Sequence, residues 1–309
     1  RACHRVGMGI GNLGHLVQVP LAEVAAGASL KPDYWTVFNM EKAAEAGLAA
    51  EKLGRLQPYL ARIQSPGDSF YRGHEGGFDA ERILEIADRL DRLEGGKFAG
   101  ITTFPALLFD EKKHRVLPTH NARTLETAAS VLHQAGRDKV EINAPGTVSA
   151  SVLDLVAAAG ATQVEPGHGL TGTTPLHAVE ELPEAPAVVY LSEVAHLHQG
   201  RAYCFGGGLY IDPVFPDYDV KAVVSAEPTV AGDALRSVEI PPPAAIDYYG
   251  MIDAGGAKPP RIGDSVVFGF RPQAFVTRAY VAGISGCSTG QPKVEIISDA
   301  WGRPAEWPI

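Results

Sequence analysis

The stretch Glu165-Pro166-Gly167-His168-Gly169-Leu170-Thr171-Gly172-Thr173-Thr174 carries the densest chemistry in this chain of 309 residues. It sets a carboxylate first, then glycines and threonine hydroxyls. Glycines let a backbone come close to an anion, and their N–H groups together with Thr hydroxyls suit a phosphate. A carboxylate beside such a loop suits a protonated heterocyclic nitrogen. The same residues also suit a tight turn with no ligand, and both readings stand at this level. Further groups able to do chemistry are Asn12 and His15, then Asp68, Tyr71, His74 and Glu75, then Thr102, Thr103, Asn143 and Thr147. His15 and His74 are candidate general acids or bases, as are Tyr203, Cys204 and Tyr210. Each has a plain alternative: a hydrogen-bonded histidine, a packed tyrosine, a small core cysteine. Arg271 and Arg278 have the fork geometry that grips a carboxylate.

These groups act together only if the fold brings them to one place. Through roughly the first 180 residues, short apolar runs alternate with segments of helical period. The runs are Val6–Ile10, Trp35–Phe38, Tyr59–Ile63, Phe98–Thr103, Val140–Asn143 and Ala161–Glu165. Helical period is clearest from Asp79 to Leu93, with further helices expected from near Glu41, over Leu125–Gln134 and over Ser151–Ala159. Repeated βα units require a parallel sheet, either a (β/α) barrel or an open doubly wound sheet. Gly9-Ile10-Gly11-Asn12-Leu13-Gly14 spells GxGxxG, but no helix opens directly after it and no acidic residue ends a second strand. The barrel is therefore favoured, with polar groups gathered at the C-terminal strand ends. Near Pro183 the helical period stops and β-rich stretches follow, among them Ala187–Val194, Ser265–Phe270 and Phe275–Ile284. This places a (β/α) barrel domain at 1–182 and a mainly β domain at 183–309.

Composition narrows the class. A net charge of -9 argues against a surface built for nucleic-acid phosphates or anionic lipid. No apolar run approaches the ~20 residues that span a bilayer, and the first residues lack a signal-peptide core. Cys3, Cys204 and Cys287 are too few and too scattered for a disulfide framework or zinc ribbon, so a reduced, cytoplasmic protein is expected.

Glu165-Pro166-Gly167 resembles the EPG segment on the last barrel strand of alanine-racemase-fold (fold type III) pyridoxal-phosphate enzymes, notably the basic amino-acid decarboxylases. Gly100-Ile101-Thr102-Thr103-Phe104 is similar to the strand that lays a side chain on the cofactor ring. Asn143-Ala144-Pro145-Gly146-Thr147 resembles a phosphate-contacting loop. The segments GNLGHLVQVP, SPGDSFYRGHEGG, EPGHGLTGTTPLHA and AYCFGGG together resemble the YhfX-like branch over nearly the whole chain. The resemblance implies pyridoxal 5′-phosphate as cofactor, with Glu165 at the pyridine nitrogen and Phe104 on the ring. Asn143, Thr147, Gly167, His168, Thr171, Gly172 and Thr173 would lie about the phosphate. It also implies a homodimer with shared active sites and a small amino-acid substrate.

Three departures stand out. His168 replaces the decarboxylases' arginine. No metal-binding His or Cys lies near Pro272–Phe275, so no metal is expected. None of the lysines sits where the family's cofactor-binding lysine does, which places that lysine upstream of Arg1 and makes the barrel N-terminally incomplete. The expected activity is amino-acid racemisation or epimerisation through a Cα carbanion. The alternatives are a lyase or decarboxylase on the same scaffold, favoured by Glu165, and a carrier that binds the cofactor without turnover.

Overall fold

The computed structural model describes residues 2–206, 219–227, 234–241, 248–269 and 279–306. The chain forms two compact units, Cys3–Ala185 and Pro186–Ile309. The first contains α1 (Ala2–Arg5), β1 (Asn12–Leu13), α2 (Val24–Ser29), β2 (Tyr34–Val37), α3 (Met40–Glu51), β3 (Gln57–Gln64) and β4 (Phe78–Asp79). It continues with α4 (Ile83–Asp91), β5 (Gly96–Thr102), the hairpin β6 (Leu107–Asp110) and β7 (Arg115–Pro118), α5 (His120–Gln134), β8 (Glu141–Asn143) and α6 (Leu153–Ala158).

The main sheet is parallel, in the order β1-β2-β3-β5-β8, with β4 beside the end of β3. A doubly wound sheet reverses its order at a switch point; this one advances in a single direction, as a barrel wall does. It is a half-barrel. Helices cover one face. On α4, Ile83, Ile86, Ala87 and Leu90 are buried, the face its helical period assigns. They join Trp35, Val37, Tyr59, Ala61, Ile63, Ile101 and Ile142 from the strands in one core.

Two strand expectations are corrected. Val6–Ile10 is not a strand: Val6 and Gly7 donate to the carbonyls of Cys3 and His4, and pairing begins only at Asn12. Gly7 has φ +83, which breaks an extended run. Ala161–Glu165 shrinks to one bridge, Gln163 to Asn143. The Ala161 N–H closes α6 on Val156, and the N–H groups of Thr162 and Gln163 both donate to Ile142, leaving little to form a ladder. The helix expected over Leu125–Gln134 starts earlier, at His120, behind an unforeseen hairpin. The GxGxxG glycines open no helix. At Gly14 (φ +82) a Cβ would stand 3.0 Å from the Thr36 carbonyl oxygen, so the glycine lets this loop lie against β2.

The second unit contains β9 (Tyr190–His198), β10 (Arg201–Phe205), β11 (Lys221–Ser225), β12 (Leu235–Glu239), β13 (Tyr249–Asp253) and β14 (Ser265–Phe268). These close into an antiparallel barrel in the order β10-β13-β12-β11-β14-β9. Its interior packs Val194, Ala202, Cys204, Val224, Ile252, Val266 and Phe268. β15 (Val281–Ser285) and β16 (Lys293–Ser298) form a separate hairpin. Among the described residues, no helix is long and apolar enough to cross a membrane.

Candidate functional site

Strand alternation decides what the half-barrel shows on the face away from its helices. Val37, Ala61, Ile101 and Ile142 share one register row and point into the helix-side core. The next row, Arg62, Thr102 and Asn143, must point the other way, as must Thr36 one step along β2. All four side chains are fully buried. Barrel interiors are ordinarily filled with branched apolar residues. This wall is polar.

Glu165, just past the last bridge, is held against the wall at both sides. Asn12 Nδ2 donates to its Oε1 at 2.8 Å and Asn143 Nδ2 to the same oxygen at 3.0 Å. Thr36 Oγ1 donates to Asn12 Oδ1 at 3.0 Å. His15 Nδ1 lies 4.0 Å from Glu165 Oε1, beyond hydrogen-bond reach. Burial pushes the His15 pKa down; Glu165 pulls it up and the charge on Arg62 lowers it further. The ring is therefore a neutral imidazole near neutral pH.

Phe104 is the centre of an aromatic group. His15 and His74 meet it edge-on at 5.8 and 6.0 Å between centroids, and Tyr71 lies at 5.7 Å. Arg62 donates through Nη2 to the carbonyls of His74 and Phe104, with its guanidinium 4.5 Å from the Phe38 ring. Burial lowers the Arg62 pKa to about 10, leaving it charged near neutrality. Asn121, at the start of α5, braces the loop that carries Tyr71 and His74: it accepts from the Ser69 N–H and donates to the Ser69 carbonyl. Asp68 is an anchor for the same loop, bound to Thr124, His120 and the Ser65 N–H.

Five buried polar atoms of this cluster lack a hydrogen-bond partner among the described residues: Arg62 Nε and Nη1, both nitrogens of His15, and Asn143 Oδ1. Leaving such atoms unpaired costs roughly 1–3 kcal/mol each, so they mark a place for a polar ligand. A heteroaromatic ring bearing an N–H and oxygen substituents fits this set. Glu165 would meet the N–H, Phe104 the ring, and Arg62 an oxygen.

The expected phosphate loops are more self-contained. Thr171 and Thr173 share a hydrogen bond of 2.8 Å, and His168 Nδ1 reaches Thr173 Oγ1 at 3.1 Å. Gly167 is exposed, whereas Gly172 (φ +64) and Thr173 are buried. The Thr147 N–H donates to Leu107, so that amide is already in use, although Thr147 itself is half-buried. The loop amides and hydroxyls thus shape a turn in the form described.

Tyr203 and Cys204 lie in the other unit. Tyr203 stacks on His196 at 4.4 Å between centroids, with Tyr249 edge-on to His196. Cys204 is fully buried in the β-barrel core, and burial pushes its thiol up to about 11. Tyr210, Arg271, Arg278 and the Pro272–Phe275 stretch lie outside the described residues. Among the described residues no group of three or more His, Cys, Asp or Glu is placed to hold a metal ion. Lys97 and Lys139 lie at the starts of β5 and β8, at the opposite strand ends from Glu165.

Sequence reasoning missed Arg62 and Thr36. The signal was there: in Trp35-Thr36-Val37 and Ala61-Arg62-Ile63 a polar residue interrupts a buried apolar strand.

Comparison with known proteins agrees with this architecture. Residues 14–175 match the alanine racemase N-terminal domain, and residues 189–294 match the YhfX-like C-terminal domain. The uncharacterized protein YhfX of Escherichia coli (strain K12) is 37% identical over 300 residues, covering 95% of this chain and 74% of that protein. D-threonine aldolase from Filomicrobium marinum shares the fold with a TM-score of 0.66 at 15% identity, covering 97% of this chain and 77% of the aldolase. Alanine racemase from Corynebacterium glutamicum gives 0.55 at 14%, covering 89% and 74%. Lysine/ornithine decarboxylase from Vibrio vulnificus gives 0.52 at 13%, covering 83% and 68%. The half-barrel, the β-barrel that follows it and the extended identity to YhfX lead to one assignment: the chain belongs to the alanine-racemase-fold family, in its YhfX-like branch.

Proposed function

We propose that this protein is a pyridoxal-5′-phosphate-dependent enzyme acting at the Cα of an amino acid, as a racemase or epimerase. The observation that carries the reading is Glu165, held by two amides through one oxygen beside an aromatic group with unpaired buried donors. When bound, the cofactor supplies an electron sink for the electron pair left at Cα. Glu165 would keep the ring nitrogen protonated, which deepens that sink. Phe104 would pack on the ring. Arg62, fixed by the carbonyls of His74 and Phe104, would offer Nε and Nη1 to a ligand oxygen. Neutral His15 and the nearby His74 are the candidates for holding or moving a proton.

A lyase or decarboxylase is the second reading, favoured by an acidic partner at the ring nitrogen, since a stronger sink suits bond cleavage as well as proton exchange. Family resemblance also supports a homodimer; a strictly monomeric active form in light scattering would count against it.

The test is the absorbance spectrum of the native, full-length protein before and after borohydride, with mass mapping of the reduced lysine. A visible band fixed to a lysine supports the reading, and no chromophore after adding the cofactor overturns it. Incubation with amino-acid panels in D₂O then separates the reactions. Cα deuteration with scrambled chirality means a racemase. Release of CO₂, ammonia or an aldehyde means a lyase, and a yellow protein that does neither is a carrier.

A further inference from the structure

We infer that Asn12, backed by Thr36, and Asn143 are positioning residues: the two amides saturate one oxygen of Glu165 and reserve the other for a cationic ring N–H. The inference rests on the proposed pyridoxal-phosphate function and concerns how the chain selects the protonated form of its ligand.

Both amide donors converge on Oε1, at 2.8 and 3.0 Å. The nearest His15 nitrogen faces the same oxygen at 4.0 Å. A carboxylate accepts only, so each asparagine must turn its NH₂ toward Glu165 and its carbonyl away. For Asn12 that orientation turns Oδ1 toward Thr36, whose hydroxyl completes the amide from behind. Thr36 Oγ1, fully buried on β2, donates to Asn12 Oδ1 at 3.0 Å. An asparagine flipped the wrong way would set two acceptors against each other at Glu165. Asn143 has no such partner: its Oδ1 is buried without one among the described residues. The relay is therefore asymmetric: Asn12 is hydrogen-bonded at both ends of its amide, Asn143 only at the end that faces Glu165.

The chemical consequence is selection by charge. A carboxylate whose first oxygen already takes two neutral donors has Oε2 left to present to an N–H⁺ donor, the stronger class of hydrogen bond. A ring with C–H in place of that nitrogen gains nothing from it, and an unprotonated nitrogen meets acceptor against acceptor. Thr36 and Asn12 touch neither ring nor substrate in this scheme. They act through Glu165.

Pyridoxine 5′-phosphate is the probe, because it needs no lysine, together with its 1-deaza analogue, in which C–H replaces the ring nitrogen. The wild-type chain is expected to prefer the nitrogen-containing probe by on the order of tenfold or more in Kd, as one charge-assisted hydrogen bond implies. Asn12→Ala and Thr36→Val should shrink that ratio toward one by weakening the first probe while leaving the deaza analogue unchanged. Thr36→Ser, which keeps the hydroxyl, should restore it. Equal loss for both probes, or an unchanged ratio in Asn12→Ala, overturns the inference. A second readout needs no ligand: the side-chain amide resonances of Asn12 in ¹⁵N-labelled protein should move in both Thr36→Val and Glu165→Gln. If neither probe binds the wild type, the proposed function fails. The amide resonances then still decide whether the relay exists, and unmoved signals in both variants overturn it.

Discussion

The two barrels in this molecule treat their interiors in opposite ways. The β-barrel of the second unit is lined by Val194, Ala202, Cys204, Ala222, Val224, Val238, Ile252 and Val266, with Tyr190 and Phe268 beside them. Among the described residues, every fully polar or charged side chain that is buried lies in the first unit: Arg62, Thr36, Thr102 and Asn143 on the half-barrel wall are among them. Closing a sheet on an apolar interior removes its edges, pairs its backbone and buries its side chains without unpaired polar groups. A wall with a buried amide and a guanidinium with open donors does the reverse, since a buried polar group without a partner costs stability. The contrast separates a scaffold from a site.

The largest expected effect breaks the scaffold. Ile252→Ala removes a fully buried side chain from the closed barrel and should cost roughly 2–5 kcal/mol through lost burial and the cavity left behind. Amide exchange across β10 and β13 should speed up accordingly, while exchange in β3 and β5 stays as it was. Coupled acceleration in both units would show that they do not behave as separate cores.

The next effect inverts the sign. Arg62→Met replaces a buried, incompletely paired cation with an apolar chain of comparable length. The ligand-free protein should gain about 1–3 kcal/mol, as when buried charges elsewhere are replaced by packed apolar groups. Binding of pyridoxine 5′-phosphate should be lost in the same variant. Chemical denaturation and a binding titration check the two halves, and a less stable Arg62→Met protein would mean that the guanidinium holds the loop at His74 and Phe104 more than it awaits a ligand.

What the sequence made legible follows the same division. The parallel wall and the β-rich second unit could be read because periodicity reports which face is buried. Glu165 stood out because a carboxylate ahead of a glycine-rich turn is an unusual combination. Arg62 and Thr36 did not, because a single polar residue within Tyr59–Ile63 or Trp35–Val37 reads as noise until the register shows that alternate positions face a second interior. Val6–Ile10 misled for the converse reason: its apolar content suggested a strand, and Gly7 with its positive φ overruled it. The hairpin β6–β7 went unseen because its strands are four residues each, too short for period to register.

Cys204 offers a smaller test of where chemistry resides. Its thiol is held in the β-barrel core, 3.8 Å from the Gly250 carbonyl, with a pKa pushed up to about 11 by burial. Cys204→Ala should cost about 1 kcal/mol, the worth of a small buried group. It should leave cofactor spectra and any Cα–H exchange unchanged. Loss of exchange with stability intact would move Cys204 from the scaffold to the site.

The smallest effect concerns pH and belongs to His15. Burial is the main cause that sets its folded pKa below the ordinary 6.5, against the pull of Glu165. Above 6.5 the imidazole is neutral in both folded and unfolded chains and contributes no pH dependence. As the pH falls through 6.5 the unfolded chain takes up a proton that the folded chain refuses, so the unfolded state binds more protons and stability declines. The decline continues until the folded pKa is passed and then levels off. Urea midpoints measured from pH 8 downward should therefore fall below about pH 6.5, and His15→Asn should flatten that part of the curve. The amplitude is small because Glu165 offsets part of the burial. An unchanged slope in His15→Asn would mean that the ring is hydrated like a surface histidine, and the polar wall would then be open to water rather than closed around a place for a ligand.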